Sequence, residues 1–236
     1  VVDTIGHGTH VAGIAAAAKN NIGVQGVAFD ANLLIGKITT SGIVAVSAIP
    51  TAIQWASSNG ADVANLSLNF TLTQSALKAN LIAPGVYSTM YTNTSALPGG
   101  LNAAQWAAAM GSQMVLVVAA GNDGTPWSGG LATLSYTTDA KGNLVLGGRM
   151  IVAGNWNEQT NKGVGPSNNG AATLCMKMVA NVCQDTYKLS DFYLLAPGTG
   201  ITSTVPTTIN STGLANMTGT SMAAPAIAGG VAIIRQ

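Results

Sequence analysis

The sequence predicts an α/β fold with a mostly parallel central sheet, and three observations carry that expectation. Short apolar runs of strand length alternate along the chain with helix-like stretches, the pattern of repeated βα units. The 236 residues are 47% hydrophobic, enough to bury a sizeable core. Only 7% are charged, so the surface must be made largely of Thr, Ser, Asn and Gly. The length suits one domain, and no repeat or linker-like break divides it.

In chain order, the Ala-rich stretch from His10 to Ala18 reads as a helix that stops at Asn20-Asn21-Ile22-Gly23. Leu33 to Ile38 reads as a strand, and Val44 to Ser58 as a helix stopped by Asn59-Gly60. Val63 to Leu68 is a second strand. Asn102 to Met110 places Ala103, Trp106, Ala107 and Met110 at three- and four-residue spacing, with Gly111 just past the end, so Trp106 and Met110 are core candidates. Val115 to Ala119, Met150 to Ala153 and Phe192 to Leu195 are further strands. Between these elements lie two polar tracts, Thr71 to Gly100 and Thr125 to Gly148, which read as insertions of about 71–100 and 125–148 that frame a cleft or decorate the surface.

Charge excludes several functions. The formal net charge is +1 and Lys and Arg are not clustered, so nothing in the chain recommends nucleic acid or an anionic membrane surface as partner. The stretches Ile38–Ala61, Ala79–Asn122 and Phe192–Ile234 carry no charge, yet each is broken every few residues by Thr, Ser, Asn, Gln, Gly or Pro, so no membrane span is expected. Val1-Val2-Asp3-Thr4 is not a signal peptide, and a start without Met suggests a processed product or a piece of something longer. Cys175 and Cys183, eight positions apart, fit either a disulfide in an exported protein or free thiols in the cytosol; zinc is disfavoured because no second Cys pair exists.

Three segments carry chemistry. Gly6-His7-Gly8-Thr9-His10-Val11-Ala12-Gly13 holds both histidines of the chain. Their i,i+3 spacing without an intervening Glu is not that of a zinc helix, and the glycines fit neither phosphate-loop pattern. His7 as a general base between two glycines, with His10 turned into the fold, competes with two purely structural histidines. Far downstream, Gly219-Thr220-Ser221-Met222-Ala223-Ala224-Pro225 opens a small-residue helix that runs to Ile234. Ser221 then sits where unsatisfied N–H groups and the helix dipole favour an oxyanion, and Pro225 is expected within the first turn; the plainer reading makes Thr220 or Ser221 a helix cap. In the third segment the strand Val115 to Ala119 runs through Ala120-Gly121 to Asn122, whose amide could donate to an oxyanion or simply serve a turn.

Together, and in this order, the three segments resemble the His, oxyanion-Asn and Ser motifs of the subtilisin-like serine proteases, the subtilase or peptidase S8 family. An α/β-hydrolase needs its His after its Ser, and none follows Ser221. The resemblance extends to Gly23-Val24-Gln25-Gly26-Val27-Ala28, Ala196-Pro197-Gly198 and Ser167-Asn168-Asn169-Gly170. It implies a three-layer fold and a serine endopeptidase acting on polypeptides, with Ser221 as nucleophile, His7 as general base, and Asn122 with the Ser221 N–H in the oxyanion hole. It also implies that Ser67, Leu68 and Asn69 continue the strand that pairs with extended substrate, and that Ala119, Ala120 and Gly121 form the opposite wall of the pocket for the residue before the scissile bond. Asn69 stands where the family usually has Gly, which narrows that pocket.

The family triad also needs an Asp before the His. Asp3 fits better the acidic residue often found just ahead of the His motif, so the expectation is that the chain lacks its first strand and triad Asp, stops within the Ser221 helix, and is weak or inactive as it stands. A non-catalytic subtilase-like binding or display domain is the alternative. No cofactor is implied for the chemistry; a structural calcium at Asn20 and the loop to Val24 is a family habit. Val27-Ala28-Phe29-Asp30-Ala31 and Gly148-Arg149-Met150-Ile151-Val152-Ala153-Gly154 resemble passenger domains of Gram-negative autotransporters. That implies a secreted or surface location, a Cys175–Cys183 disulfide, and a prodomain and outer-membrane β-barrel outside this segment.

Overall fold

The structure is a computed structural model that describes residues 2–39, 41–69, 81–83, 86–88, 103–124, 129–138, 141–160, 162–163, 173–180 and 182–236. Its elements in chain order are α1 (His7–Ala16), α2 (Ala48–Ser58), β1 (Val63–Leu66), β2 (Leu81–Ala83), β3 (Val86–Ser88), α3 (Ala103–Met110), β4 (Val115–Ala119), a 3₁₀ helix (Gly130–Ser135), β5 (Met150–Asn157), β6 (Lys162–Gly163), β7 (Thr173–Val179), β8 (Val182–Lys188), a second 3₁₀ turn (Leu189–Phe192), β9 (Tyr193–Pro197), β10 (Ile201–Thr204), β11 (Leu214–Met217) and α4 (Thr220–Arg235).

β1, β4, β5 and β9 lie side by side in parallel, and β6 pairs antiparallel with the end of β5. Alternation along β4 divides the core into two layers. Leu116 and Val118 point to one face, where they pack with Ile49 and Ile53 of α2, Trp106 and Met110 of α3, and Leu131 and Leu134 of the 3₁₀ helix. Val117 and Ala119 point to the other, against Ala223, Ala224, Ile227 and Ala228 of α4. The result is a three-layer α/β arrangement in which α4 lies close to the sheet because its inner face is made of small residues. α1 packs on α4 and on the antiparallel β10–β11 hairpin.

Several boundaries differ from those expected. α1 begins at His7, three residues before the Ala-rich stretch, because Asp3 supplies hydrogen bonds that start it. α2 begins at Ala48 and ends at the expected stop, with Asn59 as its C-cap. Leu33 to Ile38 is not a strand: it joins no ladder among the described residues, and Leu33, Leu34 and Ile35 are exposed. The tract expected as a surface loop at 125–148 instead buries residues 129–138 in the core. The hydroxyls of Thr133, Ser135 and Thr137 there donate to backbone carbonyls three or four residues back, which is how so polar a run tolerates burial. Within 71–100, β2 and β3 join β7 and β8 in a second, four-stranded sheet. Most of that tract, and Ser167 to Gly170, lie outside the described residues.

The segment between the cysteines is a β-hairpin rather than a loop, and Cys175 on β7 is bonded to Cys183 on β8 (S–S 2.06 Å, Cα–Cα 5.8 Å). The pairing shifts between Cys175 and Met178, which brings the two residues together although they are not direct ladder partners. Of the alternatives left open by sequence, the disulfide is the one the structure contains.

Candidate active site

The segments that follow the carboxyl ends of β1 and β4 meet the N-terminus of α4 through Ser67 and Asn122, the location open α/β sheets use for ligands. Gly219, the N-cap of α4, has φ +153° and ψ 170°, a region open essentially to glycine, and a Cβ there would lie 3.3 Å from Asn122 Nδ2. The Thr220 backbone N–H donates to Asn122 Oδ1 (2.9 Å), and the Thr220 hydroxyl donates to the same oxygen (3.2 Å) while accepting from the Gly121 N–H (3.2 Å). A backbone N–H can only donate, so the amide oxygen of Asn122 faces the helix. Its Nδ2 has no partner among the described residues, and neither has the Ser221 N–H. Two free donors at the start of a helix form a site for negative charge beside the Ser221 hydroxyl.

Pro225 lies in the second turn of α4, not the first as expected, and so does remove an intrahelical donor. The carbonyl it would have served belongs to Ser221, four residues earlier. That carbonyl accepts instead from Ser67 Oγ (2.7 Å), and Ser221 Oγ in turn donates to Ser67 O (3.3 Å). Ser67 Oγ also accepts from Asn65 Nδ2 (2.9 Å). Thus Ser67 and Asn122, from the segments that follow adjacent strands, clamp Ser221 and Thr220 from two sides. Sequence resemblance implied only a place for Ser67 on a substrate-pairing strand; its grip on Ser221 was not anticipated, although a Pro four residues after a Ser signals a freed carbonyl.

His7 opens α1 and is half-buried. Its ring makes no hydrogen bond among the described residues, and Ser221 Oγ is not joined to it. Burial pushes its pKa below the ordinary imidazole value; nearby His10 adds to this and Asp3 opposes it. A neutral imidazole able to accept a proton is the consequence. His10 is fully buried, and its Nε2 lies 3.0 Å from both Ile201 O and Ala215 O. Two acceptors fix the Nε2–H tautomer, so His10 ties α1 to the hairpin and is structural. With His7 acting as general base, the role the resemblance implies, covalent modification of Ser221 is expected to fall with acid through a midpoint below the ordinary imidazole value of 6.5. A pH–rate profile of labelling checks this. The same shift makes the fold lose stability as pH drops below that value, since the unfolded chain binds the proton first.

Asp3 does not reach His7. Its Oδ1 accepts from the N–H groups of Ile5 (3.0 Å) and Gly6 (2.8 Å), and its Oδ2 from the N–H and hydroxyl of Thr9 (2.9 and 2.7 Å). Burial alone would raise its pKa, but the Thr9 hydroxyl and the three backbone donors hold it far below the usual carboxylate range. Asp3 is therefore a helix-starting cap for α1. Asp3→Ala is expected to destabilise the fold by about 1–2 kcal/mol in urea unfolding. The stabilisation persists above the ordinary carboxylate range and is lost as pH falls through the depressed value.

Of the residues expected to wall the substrate pocket, Ala119 and Ala120 are buried, Ala120 N–H donates to Ala153 O (3.0 Å), and Ala120 O accepts from Gly129 N–H (2.7 Å). These groups are committed within the fold. Asn69 reaches across to Ala119 O. For calcium, the loop from Asn20 to Val24 offers two side-chain oxygens, those of Asn20 and Asn21, and Asn20 Oδ1 accepts from Ile22 N–H (3.0 Å). The adjoining cavity of about 380 Å³ is lined by groups such as Ala12, Ala16, Ile22 and Leu33 and by no carboxylate. Among the described residues no three His, Cys, Asp or Glu side chains gather as a metal site. Calcium takes six to eight oxygens, backbone carbonyls among them, so a site at this loop would rest largely on main-chain oxygens. No helix among the described residues is long and apolar enough to cross a membrane.

A parallel-sheet α/β protein with a serine at a helix N-terminus, two free donors beside it and a neutral histidine has the features of a serine-nucleophile hydrolase. Comparison with known proteins narrows the class. The Subtilase family (peptidase S8) profile matches residues 1–236. The chain is 32% identical to subtilisin DY of Bacillus licheniformis over 233 residues, and 33% identical to subtilisin Savinase of Lederbergia lenta over 236. These alignments cover 98% and 99% of this chain and 64% of each subtilisin. The crystal structure of a cold-adapted subtilisin-like serine proteinase shares the fold, with a TM-score of 0.58 and 24% identity, over 97% of this chain and 60% of that one. The chain belongs to the subtilase family, a family of serine-type endopeptidases that need no cofactor for catalysis.

Proposed function

We propose that the chain carries the nucleophile, general base and oxyanion hole of a serine endopeptidase acting on polypeptides. Ser221 Oγ turns from Ser67 O, attacks the peptide carbonyl carbon and passes its proton to His7. The oxyanion is held by the Ser221 N–H and Asn122 Nδ2. Collapse breaks the C–N bond as His7 protonates the leaving amine, and water, deprotonated by His7, then releases the acyl group. The observation that best supports this is the pair of free donors fixed beside Ser221 by the Thr220–Asn122 hydrogen bonds.

The 236-residue chain by itself is weak or inactive in this proposal. The only carboxylate ahead of His7 is Asp3, and all four of its hydrogen bonds serve the start of α1. The triad acid is then supplied by sequence upstream. The same observation favours the second reading, a subtilase-like domain that binds or displays without cleaving. Casein hydrolysis by a chain extended upstream separates the two: activity that vanishes with Ser221→Ala supports the peptidase, and its absence supports the binding domain. The disulfide supports an oxidising, extracytoplasmic location. The autotransporter-like segments around Phe29 and Met150 support a secreted or surface protein of a Gram-negative bacterium, with a prodomain and β-barrel encoded outside this segment.

A further inference from the structure

We infer that the Asn69 side chain plugs the slot beside Ser221, so that the residue preceding the scissile bond must be glycine or alanine. This names the substrate class of the site proposed above and rests on that reading. Ser67, just after β1, is bonded to Ser221, and Gly121, just after β4, is bonded to Thr220. A peptide lying along Leu68 with its carbonyl on Ser221 Oγ and its oxygen at Asn122 therefore aims the preceding side chain between the two strand ends.

Asn69 already occupies that gap. Its Nδ2 donates across the slot to Ala119 O, and its Oδ1 accepts from the Leu131 N–H (3.0 Å) at the start of the 3₁₀ helix. Beneath it lies Gly129, where a Cβ would come within 2.3 Å of the amide carbon and oxygen of Asn69. The amide thus rests on bare backbone with both ends tied to different segments, a fixed plug rather than a mobile side chain. Displacing it for an aromatic ring would leave the Ala119 carbonyl and the Leu131 N–H unpaired in surroundings where both residues are buried. A side chain that ends at Cβ needs no such displacement. Glycine at position 69, by contrast, leaves the gap open.

The test is fluorescence anisotropy of labelled hexapeptide acids, identical except for a C-terminal Ala or Phe, titrated with the whole chain. The Ala peptide is expected to bind at least tenfold more tightly. Asn69→Gly is expected to tighten the Phe peptide at least tenfold, and Asn69→Ala, a milder change should glycine impair folding, to shift it in the same direction. Equal affinity of the two peptides for the parent chain, binding of neither, or a folded variant that leaves the Phe peptide unimproved would each overturn the assignment. The parent comparison decides the matter even if neither variant folds. Fluorophosphonate labelling of Ser221 reports separately on the catalytic reading: a Ser221 that never reacts sinks that reading while peptide selectivity is still measured.

Discussion

Replacing Ser221 with alanine is expected to abolish covalent labelling by a fluorophosphonate and, in an upstream-extended chain, to lower peptide hydrolysis by on the order of 10⁶ in kcat. That figure is the loss found in subtilisin when its serine or histidine is removed alone. The size follows from the site's design. The two free donors, Asn122 Nδ2 and the Ser221 N–H, stabilise charge only once a nucleophile has attacked, so little remains without the hydroxyl. The fold should hardly notice. Among the described residues Ser221 Oγ makes a single long hydrogen bond, to Ser67 O at 3.3 Å, and alanine suits the first turn of a helix. Intact-mass spectrometry after labelling, beside a thermal melt, separates loss of chemistry from loss of fold.

The second large effect concerns the acid. Extending the chain upstream by a strand that ends in an aspartate facing His7 is expected to raise kcat by about 10⁴, the factor lost when a serine protease keeps its geometry but loses the carboxylate that fixes its histidine tautomer. The physical reason is visible at His7. Nothing among the described residues holds its ring, and burial leaves it neutral but free to present either nitrogen. A carboxylate at one nitrogen orients the other toward Ser221 and stabilises the imidazolium formed during attack. Assay of casein hydrolysis, with the Asp of the added strand changed to Asn as control, reads this out.

Much of the local structure around Ser221 was legible in the sequence because short motifs encode local geometry. Gly219 before Thr220-Ser221 reads as a helix start, and the structure places the N-cap there. The Val115 to Ala119 strand, Trp106 and Met110 in the core, and the Asn59 stop of α2 follow equally from periodicity and capping. What escaped depends on contacts distant in sequence. The displacement of α1 to His7 needs Asp3 folded back onto Thr9. The role of Pro225 is apparent only when Ser67, more than 150 residues earlier in the chain, is seen to take the carbonyl that Pro225 releases. The buried run 129–138 looks like a polar loop because its hydroxyls satisfy their own backbone. Leu33 to Ile38 has the composition of a strand, but a strand also needs a neighbour.

The central claim is that Ser221 and His7 form the reactive pair while Asp3 caps α1 and is not the triad acid. Fluorophosphonate labelling of the 236-residue chain and of Asp3→Asn, with the modified peptide identified by mass spectrometry, tests it directly. The account expects slow labelling confined to Ser221, at similar rates in both proteins. Rapid labelling of the parent chain that falls about 10⁴-fold in Asp3→Asn, or labelling at a residue other than Ser221, would contradict it.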